Sequence, residues 1–126
     1  MIPIMCLPCE ERVEQAVDFA RVTELIQDPH NLVWVDFWGE VHDAIEPILK
    51  TTFGFHPLAV DDALDATHVP KLDDWGEYLY IVLSGITYEK GSNDVEIQEL
   101  DVFLGRNFLV TLHDLPIVTV NRVWQT

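Results

Sequence analysis

The segment 54–74, GFHPLAVDDALDATHVPKLDD, constrains the fold more than any other part of the sequence. Gly54 suits the left-handed conformation that ends a helix, and Pro57 suits the first position of the next one. His56 then occupies the N-cap, where a side chain can accept a hydrogen bond from a free backbone amide. The pattern predicts a short helix over residues 57–66.

Three aspartates, Asp61, Asp62 and Asp65, lie within one turn of this predicted helix, because residues three and four apart are neighbours. Leu58 and Leu64 are expected to pack inward from the same helix. Mg2+ usually takes one or two carboxylates from a protein and completes its octahedron with water. The aspartates therefore suit a partial cation site, but a solvated helix face explains the same pattern, and the residues alone leave both interpretations open.

Hydrophobic periodicity predicts the remaining elements. Stretches that are rich in apolar, β-branched or aromatic residues predict strands over residues 2–7, 32–37, 78–86, 95–104 and 108–113. Apolar residues at helical spacing predict helices over residues 10–20, 23–27, 44–53 and from Pro116 onward. Asp43, with Glu46 three residues later, is the predicted N-cap of the helix over 44–53. We expect the strand at 2–7 to lie at a sheet edge and the strand at 78–86 to be covered on both faces.

The order of these elements predicts an α/β fold. Strands and helices interleave first and a run of three strands follows. We therefore expect a mixed parallel and antiparallel sheet with helices on both faces, which is an αβα sandwich. The length of 126 residues fits a single domain, 1–126.

The chain is strongly acidic, with 22 Asp and Glu against 7 Lys and Arg and a net charge of -15. Nucleic acids and anionic lipids bind proteins through Lys and Arg, so we expect neither as a partner. Cations are the natural ligands of such a surface, although excess acid also serves solubility alone. No apolar run approaches the roughly 18 residues of a membrane span, and we expect a soluble, cytoplasmic chain.

Cys6 and Cys9 form a C-x-x-C motif. In a thiol oxidoreductase the first cysteine lies at a helix N-terminus that stabilises its thiolate, and Glu10 and Glu11 would begin that helix here. The redox motif normally follows a buried strand of a complete βαβ unit, and a zinc site needs a second pair of Cys or His ligands. Neither accompanies these cysteines, so ordinary thiols are favoured. A small cytosolic thiol-redox protein is kept as an alternative function.

Other catalytic patterns are missing from the sequence. Ser84 falls in an apolar strand and Ser92 in a turn, and neither has the motif of a nucleophilic serine. The six glycines are scattered without a phosphate-binding loop, and the five histidines form no metal-binding pair. A catalytic pair of carboxylates stays compatible with the sequence, but we expect no enzymatic activity.

Six motifs are weak singly and specific as an ordered set. They are WVD at 34–36, FGFHPL at 53–58, DD at 61–62, PKL at 70–72, YLYIVL at 78–83 and NFLVT at 107–111. This set resembles the N-terminal cytoplasmic domain of the CorA family of magnesium and cobalt transport proteins, over more than half of the chain. The sequence departs from that pattern at Val69, where many relatives have Arg, and the first 30 residues match poorly.

The resemblance implies an αβα sandwich that senses divalent cation on the cytoplasmic face of the membrane. Asp62 would help to bind Mg2+ between neighbouring protomers, together with a carboxylate of the next subunit, and Asp61 would lie near a second cation site. Asp65 receives no role. The family forms pentamers whose long helix and two membrane spans follow this domain, so we expect a longer natural protein. The transported ion, Mg2+ or Co2+, stays open, and a zinc-transporting branch with the same architecture is an alternative.

Overall fold

The computed structural model describes residues 4–7, 11–13, 19–39, 42–65, 69–88, 91, 95–114, 120 and 122. The strands are β1 (Ile4–Leu7), β2 (Glu11–Val13), β3 (Leu32–Trp38), β4 (Lys71–Asp74), β5 (Tyr78–Tyr88), β6 (Val95–Gly105) and β7 (Phe108–His113). The α-helices are α1 (Phe19–Gln27), α2 (His42–Pro47) and α3 (Pro57–Leu64), and a π-helical turn, Ile48–Thr52, continues α2.

The strands form one sheet in the order β2-β1-β3-β7-β6-β5-β4. β3 and β7 run parallel, with Val35 opposite Val110, whereas the other neighbouring pairs are antiparallel. A tight turn cannot join parallel neighbours, so the chain between β3 and β7 makes a long excursion through α2, α3 and β4 to β6. The mixed sheet predicted from the sequence is confirmed.

The main core lies between one face of this sheet and the three α-helices. Alternate residues of a strand point to the same face, which places the buried apolar positions of β3 and β7 on one side. The fully buried side chains of the core include Val22, Val33, Val35, Phe37, Leu49, Val60, Tyr80, Phe103 and Val110. The helix predicted from Pro116 lies outside the described residues except for Val120 and Arg122, which are helical, and Val120 is buried outside this core.

A buried polar network ties β3 to β7 on the face opposite this core. Asp36 Oδ1 accepts a hydrogen bond from Thr111 Oγ1 at 2.6 Å and lies 2.7 Å from His113 Nε2. The Trp34 indole N–H donates to the Thr111 hydroxyl at 2.9 Å. Because a carboxylate accepts only, the His113 tautomer that bonds to it carries its proton on Nε2. The network satisfies its own buried donors, as a polar cluster inside a protein must.

The N-terminal region differs from the sequence prediction. Glu11–Val13 is a strand instead of the start of a helix, and β1 lies between β2 and β3 instead of at the sheet edge. The apolar spacing over 10–20 fits a helix locally, but β1 offers a backbone partner that this spacing does not reveal. The end of α1 at Gln27 agrees with the prediction, because a residue before proline disfavours the helical conformation.

The α2 region also differs in detail. The helix begins at His42, so Asp43 is already helical and is not the N-cap. Pro47 supplies no amide hydrogen to the preceding turn, and the turn after it is π-helical. Gly54 has a φ of 68°, and it ends this helical segment in the left-handed conformation that the sequence predicts.

Strand β5 is covered less completely than a central strand. Leu83 is 50% exposed and Ile86 is 73% exposed. The neighbouring strand β4 is only four residues long and pairs with residues 79–82 of β5. The second half of β5 therefore extends past its partner, and the prediction of a strand covered on both faces is wrong for that half.

The buried network predicts a large loss of stability for Asp36→Ala. The substitution leaves the Thr111 hydroxyl and the His113 ring without their acceptor, so the free energy of unfolding should fall by about 3 kcal/mol. The control Asp43→Ala removes an exposed carboxylate from α2 and should change stability by less than about 0.5 kcal/mol. Urea denaturation of both variants measures the difference, and equal stabilities would contradict the role of Asp36.

Candidate cation-binding site

Helix α3 begins as the sequence predicts. His56 is the N-cap, and its Nδ1 accepts a hydrogen bond from the Leu58 amide at 3.1 Å. The His56 amide donates to the Tyr78 hydroxyl at 2.8 Å, and the His56 ring stacks on Trp75 with centroids 4.7 Å apart. These contacts fix the start of α3 against the turn between β4 and β5.

The inner side of α3 consists of small and branched residues. Ala59, Val60 and Ala63 are buried, and Leu64 packs partly against the core. The prediction that Leu58 packs inward is wrong, since its side chain is 62% exposed. The buried set lies along the opposite side of the helix, so Leu58 faces away from the sheet.

The outer side of α3 carries the candidate aspartates. Asp61 and Asp65 are exposed and Asp62 is half-buried. The helix ends at Leu64, two residues before the predicted end, and Asp65 is its C-cap with an amide that donates to the Asp61 carbonyl at 3.0 Å. The two principal candidates, Asp61 and Asp62, therefore share the last full turn of a short, well-anchored helix.

Asp62 has a counterion in the same chain. Lys71 Nζ lies 2.7 Å from Asp62 Oδ2 and 3.0 Å from Asp73 Oδ2, and it also stands 5.4 Å from the centre of the Tyr80 ring. The hydrogen bonds that Lys71 donates to Asp62 and then to Asp73 raise the pKa of Lys71, so this lysine keeps its charge. The sequence singled out Pro70-Lys71 as a motif but gave no sign that Lys71 meets Asp62.

Asp61 has a weaker electrostatic neighbour. Lys50, in the π-helical turn, contacts Glu46 with 2.6 Å between Nζ and Oε1. That hydrogen bond is the main cause of a raised pKa at Lys50, and the charge of Asp61 adds a smaller contribution in the same direction. Each candidate aspartate thus lies near one lysine, but only Asp62 is in direct contact with it.

The acidic side of α3 offers part of a metal-coordination shell. Carboxylate oxygens suit hard cations such as Mg2+, which requires six oxygen ligands in all. Among the residues that the structure describes, no group of three or more His, Cys, Asp or Glu side chains is arranged to hold a metal ion. Asp61 and Asp62 fit a divalent cation by their chemistry, but a complete site needs donors from outside this group.

A second acidic feature was not found by sequence reasoning. A cavity of about 190 Å3 lies beside the end of α3, and its wall includes Asp65, Glu99, Asp101, His113 and Asp114. Asp101 is 3% exposed, and its Oδ1 makes no hydrogen bond within the described structure. Burial, together with the charge of Glu99, raises the pKa of Asp101 to about 8. The only sequence signal is a lone aspartate within the apolar run of β6.

The structure places Cys6 in the middle of β1, opposite Glu11 of β2 and Val33 of β3. The helix that would start at Glu10 and Glu11 is absent there, because Glu11 belongs to a strand. Cys9 lies outside the described residues, as does Ser92. The helix N-terminus on which the thiol-redox hypothesis depends is therefore not found at Cys6.

This combination, a mixed sheet with an acidic helix over one end, matches the fold of solved structures. The soluble domain of CorA from Methanocaldococcus jannaschii superposes with a TM-score of 0.70 at 18% sequence identity, covering 99% of this chain and 45% of that one. The full-length CmaX protein superposes with a TM-score of 0.71 at 20% identity, covering 98% of this chain and 37% of that one. At these identities the likeness concerns the fold alone.

Sequence comparison gives the family. The model of the family described as CorA-like Mg2+ transporter protein matches residues 29–126. YfjQ of Bacillus subtilis (strain 168), by name a metal ion transporter, is 33% identical over 113 residues, which are 90% of this chain and 33% of that protein. The cobalt/magnesium transport protein CorA of Thermotoga maritima is 25% identical over 88 residues, or 70% of this chain and 25% of that protein. The chain belongs to the CorA-like family.

The chain is much shorter than these relatives and spans between a quarter and a third of their length. Within its described residues, no helix has the length and apolar character needed to cross a membrane. The family is one of transporters and not a known class of enzyme.

The buried carboxyl group predicts a pH-dependent stability. The folded protein holds the proton of Asp101 up to about pH 8, whereas the unfolded chain releases it near pH 4. Folding therefore takes up a proton between these values, and this group lowers stability as pH rises, by up to about 1.4 kcal/mol per pH unit. Denaturant titrations between pH 5 and 8 should show a steeper fall for the wild type than for Asp101→Asn.

The exposed Asp74→Asn provides the matched control for this experiment, because it removes one carboxylate from an open position on β4. Its pH profile should run parallel to that of the wild type. Parallel profiles for Asp101→Asn and the wild type would show that Asp101 is ionised in the folded protein, contrary to this prediction.

Proposed function

We propose that the chain is the cytoplasmic, cation-sensing domain of a CorA-like Mg2+ and Co2+ transporter, with Asp62 and then Asp61 as metal ligands. The observation that carries the proposal is the position of Asp62, a half-exposed carboxylate on the outer side of α3 in a chain that belongs to this family. Domain 1–126 would lie on the cytoplasmic face of the membrane. The membrane spans would come from other parts of the full-length protein.

The small number of donors supports a site that two subunits share. Asp61 and Asp62 supply carboxylate oxygens, and among the described residues no third acidic, His or Cys side chain completes a metal site with them. In a homo-oligomer, which we propose to be a pentamer, a carboxylate of the next subunit would provide the remaining protein ligand. A bound divalent cation would supply the positive charge between the two carboxylates.

The same arrangement would give regulation. Lys71 neutralises Asp62 only in part because Asp73 shares its ammonium group, so Asp62 and a carboxylate of the next subunit repel each other when no cation lies between them. The assembly that brings them together is therefore favoured only at sufficient cation concentration. When the cytoplasmic concentration falls, the population shifts toward assemblies in which the subunits separate. Transport would then rise, which constitutes negative feedback.

The ligand type at this site favours Mg2+ over Zn2+. The candidate donors on α3 are carboxylates, which suit hard cations, whereas zinc sites are usually built from Cys and His. His56 is engaged as the N-cap of α3 through its Nδ1. The zinc-transporting branch of the same superfamily is kept as the alternative.

The assignment of Asp62 is tested in the full-length protein by protection from protease as Mg2+ is added. We expect Asp62→Ala to raise the Mg2+ concentration for half-maximal protection by about tenfold or more, since even the loss of a residue that only orients a metal ligand typically costs about 10- to 100-fold in affinity. Asp65→Ala removes an exposed carboxylate from the end of the same helix and should leave the midpoint unchanged. Identical midpoints for Asp62→Ala and the wild type would refute the assignment.

The 126-residue chain by itself tests the shared site. With only the protein ligands of one subunit, it should bind Mg2+ weakly, so isothermal titration at micromolar concentrations should show no saturable heat. Submicromolar affinity would mean that the chain holds a complete site, and the proposal of a site between subunits would fail.

A further inference from the structure

Lys71 already occupies a cation position at Asp62. Its ammonium group contacts Asp62 Oδ2 at 2.7 Å and Asp73 Oδ2 at 3.0 Å, above the face of the Tyr80 ring. Two carboxylates and an aromatic face are the surroundings that attract a positive charge. The chain thus fills this position with a charge of its own.

The three partners of Lys71 come from different elements. Lys71 and Asp73 are two residues apart on β4, so their side chains leave the same face of the strand, and Asp73 pairs with Tyr80 of β5 in the sheet register. Asp62 belongs to α3. The ammonium group can therefore leave Asp62 and keep its contacts with Asp73 and Tyr80, because these two are held by the sheet independently of the helix.

We propose that Lys71 is a built-in competitor that sets the cation concentration at which Asp62 is occupied. This inference rests on the proposed role of Asp62 as a metal ligand. An ammonium group at Asp62 Oδ2 weakens the binding of a divalent cation to the same carboxylate, since it takes up lone pairs of that oxygen and the two positive charges repel. Asp62 binds metal when Lys71 turns to Asp73, so the lysine lowers the affinity of the site without closing it.

Lys50 provides an internal comparison. It carries the same charge and lies near Asp61, but its ammonium group is bonded to Glu46. Removing Lys50 therefore changes the net charge near α3 equally and leaves the Asp62 carboxylate paired. A general charge effect would change the Mg2+ dissociation constant of both lysine variants equally. Direct competition would change it only in the Lys71 variant.

The inference is tested in the 126-residue chain by NMR titration with MgCl2 at constant ionic strength, following the backbone amides of α3. Loss of a half-exposed ion pair of this type changes a binding constant by about two- to fivefold, so Lys71→Gln should lower the Mg2+ dissociation constant by that factor. Lys50→Gln should change it by clearly less. Lys71→Arg keeps a charged donor at Asp62 and should restore the wild-type value.

The double variant Lys71→Gln with Asp62→Asn should lose the tighter Mg2+ binding of Lys71→Gln. That loss would assign the gain in affinity to the Asp62 carboxylate. A dissociation constant for Lys71→Gln equal to that of the wild type, or an equal gain in Lys50→Gln, would overturn the inference. Far-ultraviolet circular dichroism checks that each variant is folded. If Lys71→Gln is unfolded, Lys71→Arg still tests the inference, because a gain in Mg2+ affinity with the positive charge retained would contradict competition.

The two proposals fail in different ways. If Asp62 is not a metal ligand, Asp62→Ala leaves the protease-protection midpoint of the full-length protein unchanged. If only the competition is wrong, Asp62→Ala still shifts that midpoint, while Lys71→Gln shifts neither the midpoint nor the dissociation constant of the 126-residue chain.

Discussion

A single carboxylate oxygen of Asp36 bonds to Thr111 and lies within hydrogen-bonding distance of His113, and so joins two strands that are 75 residues apart in sequence. Parallel strands have no local turn to hold them, and their pairing must be secured by contacts between distant residues. Everything between β3 and β7 is an excursion that leaves this pair and returns to it. The positions of α2, α3 and the β4 to β6 meander depend on that closure.

Aromatic packing then fixes the acidic helix α3 against the sheet. Phe55, directly before the N-cap, stacks on Phe103 of β6 with ring centroids 4.1 Å apart and on Phe53 at 5.3 Å. Tyr78 lies 4.7 Å from the same ring and bonds to the His56 amide. The start of α3 is therefore held by packed aromatic rings, and its carboxylates lie on the side of the helix that faces away from the core.

The parts of this structure that depend on neighbouring residues were visible in the sequence. Gly54, His56 and Pro57 mark a helix end and a helix start by local backbone chemistry alone, and the structure confirms all three roles. The strand at Glu11–Val13 was missed because it forms by backbone pairing with β1, and the spacing of apolar residues over 10–20 does not reveal that pairing. The contact of Lys71 with Asp62 and the burial of Asp101 arise from packing between α3, β4 and β6, which no local pattern encodes, and the metal-binding roles of Asp61 and Asp62 stay predictions.

Strand β4 has a consequence beyond the lysine it carries. It is the last strand of the described sheet, and of its four residues Lys71, Asp73 and Asp74 are charged. A short edge strand with charged side chains resists the addition of a further strand, which is how natural sheets avoid aggregating edge to edge. The charged edge thus disfavours a continuous sheet between two copies of this domain through β4. Contacts on this side would be made by side chains and not by backbone hydrogen bonds, so they would be reversible.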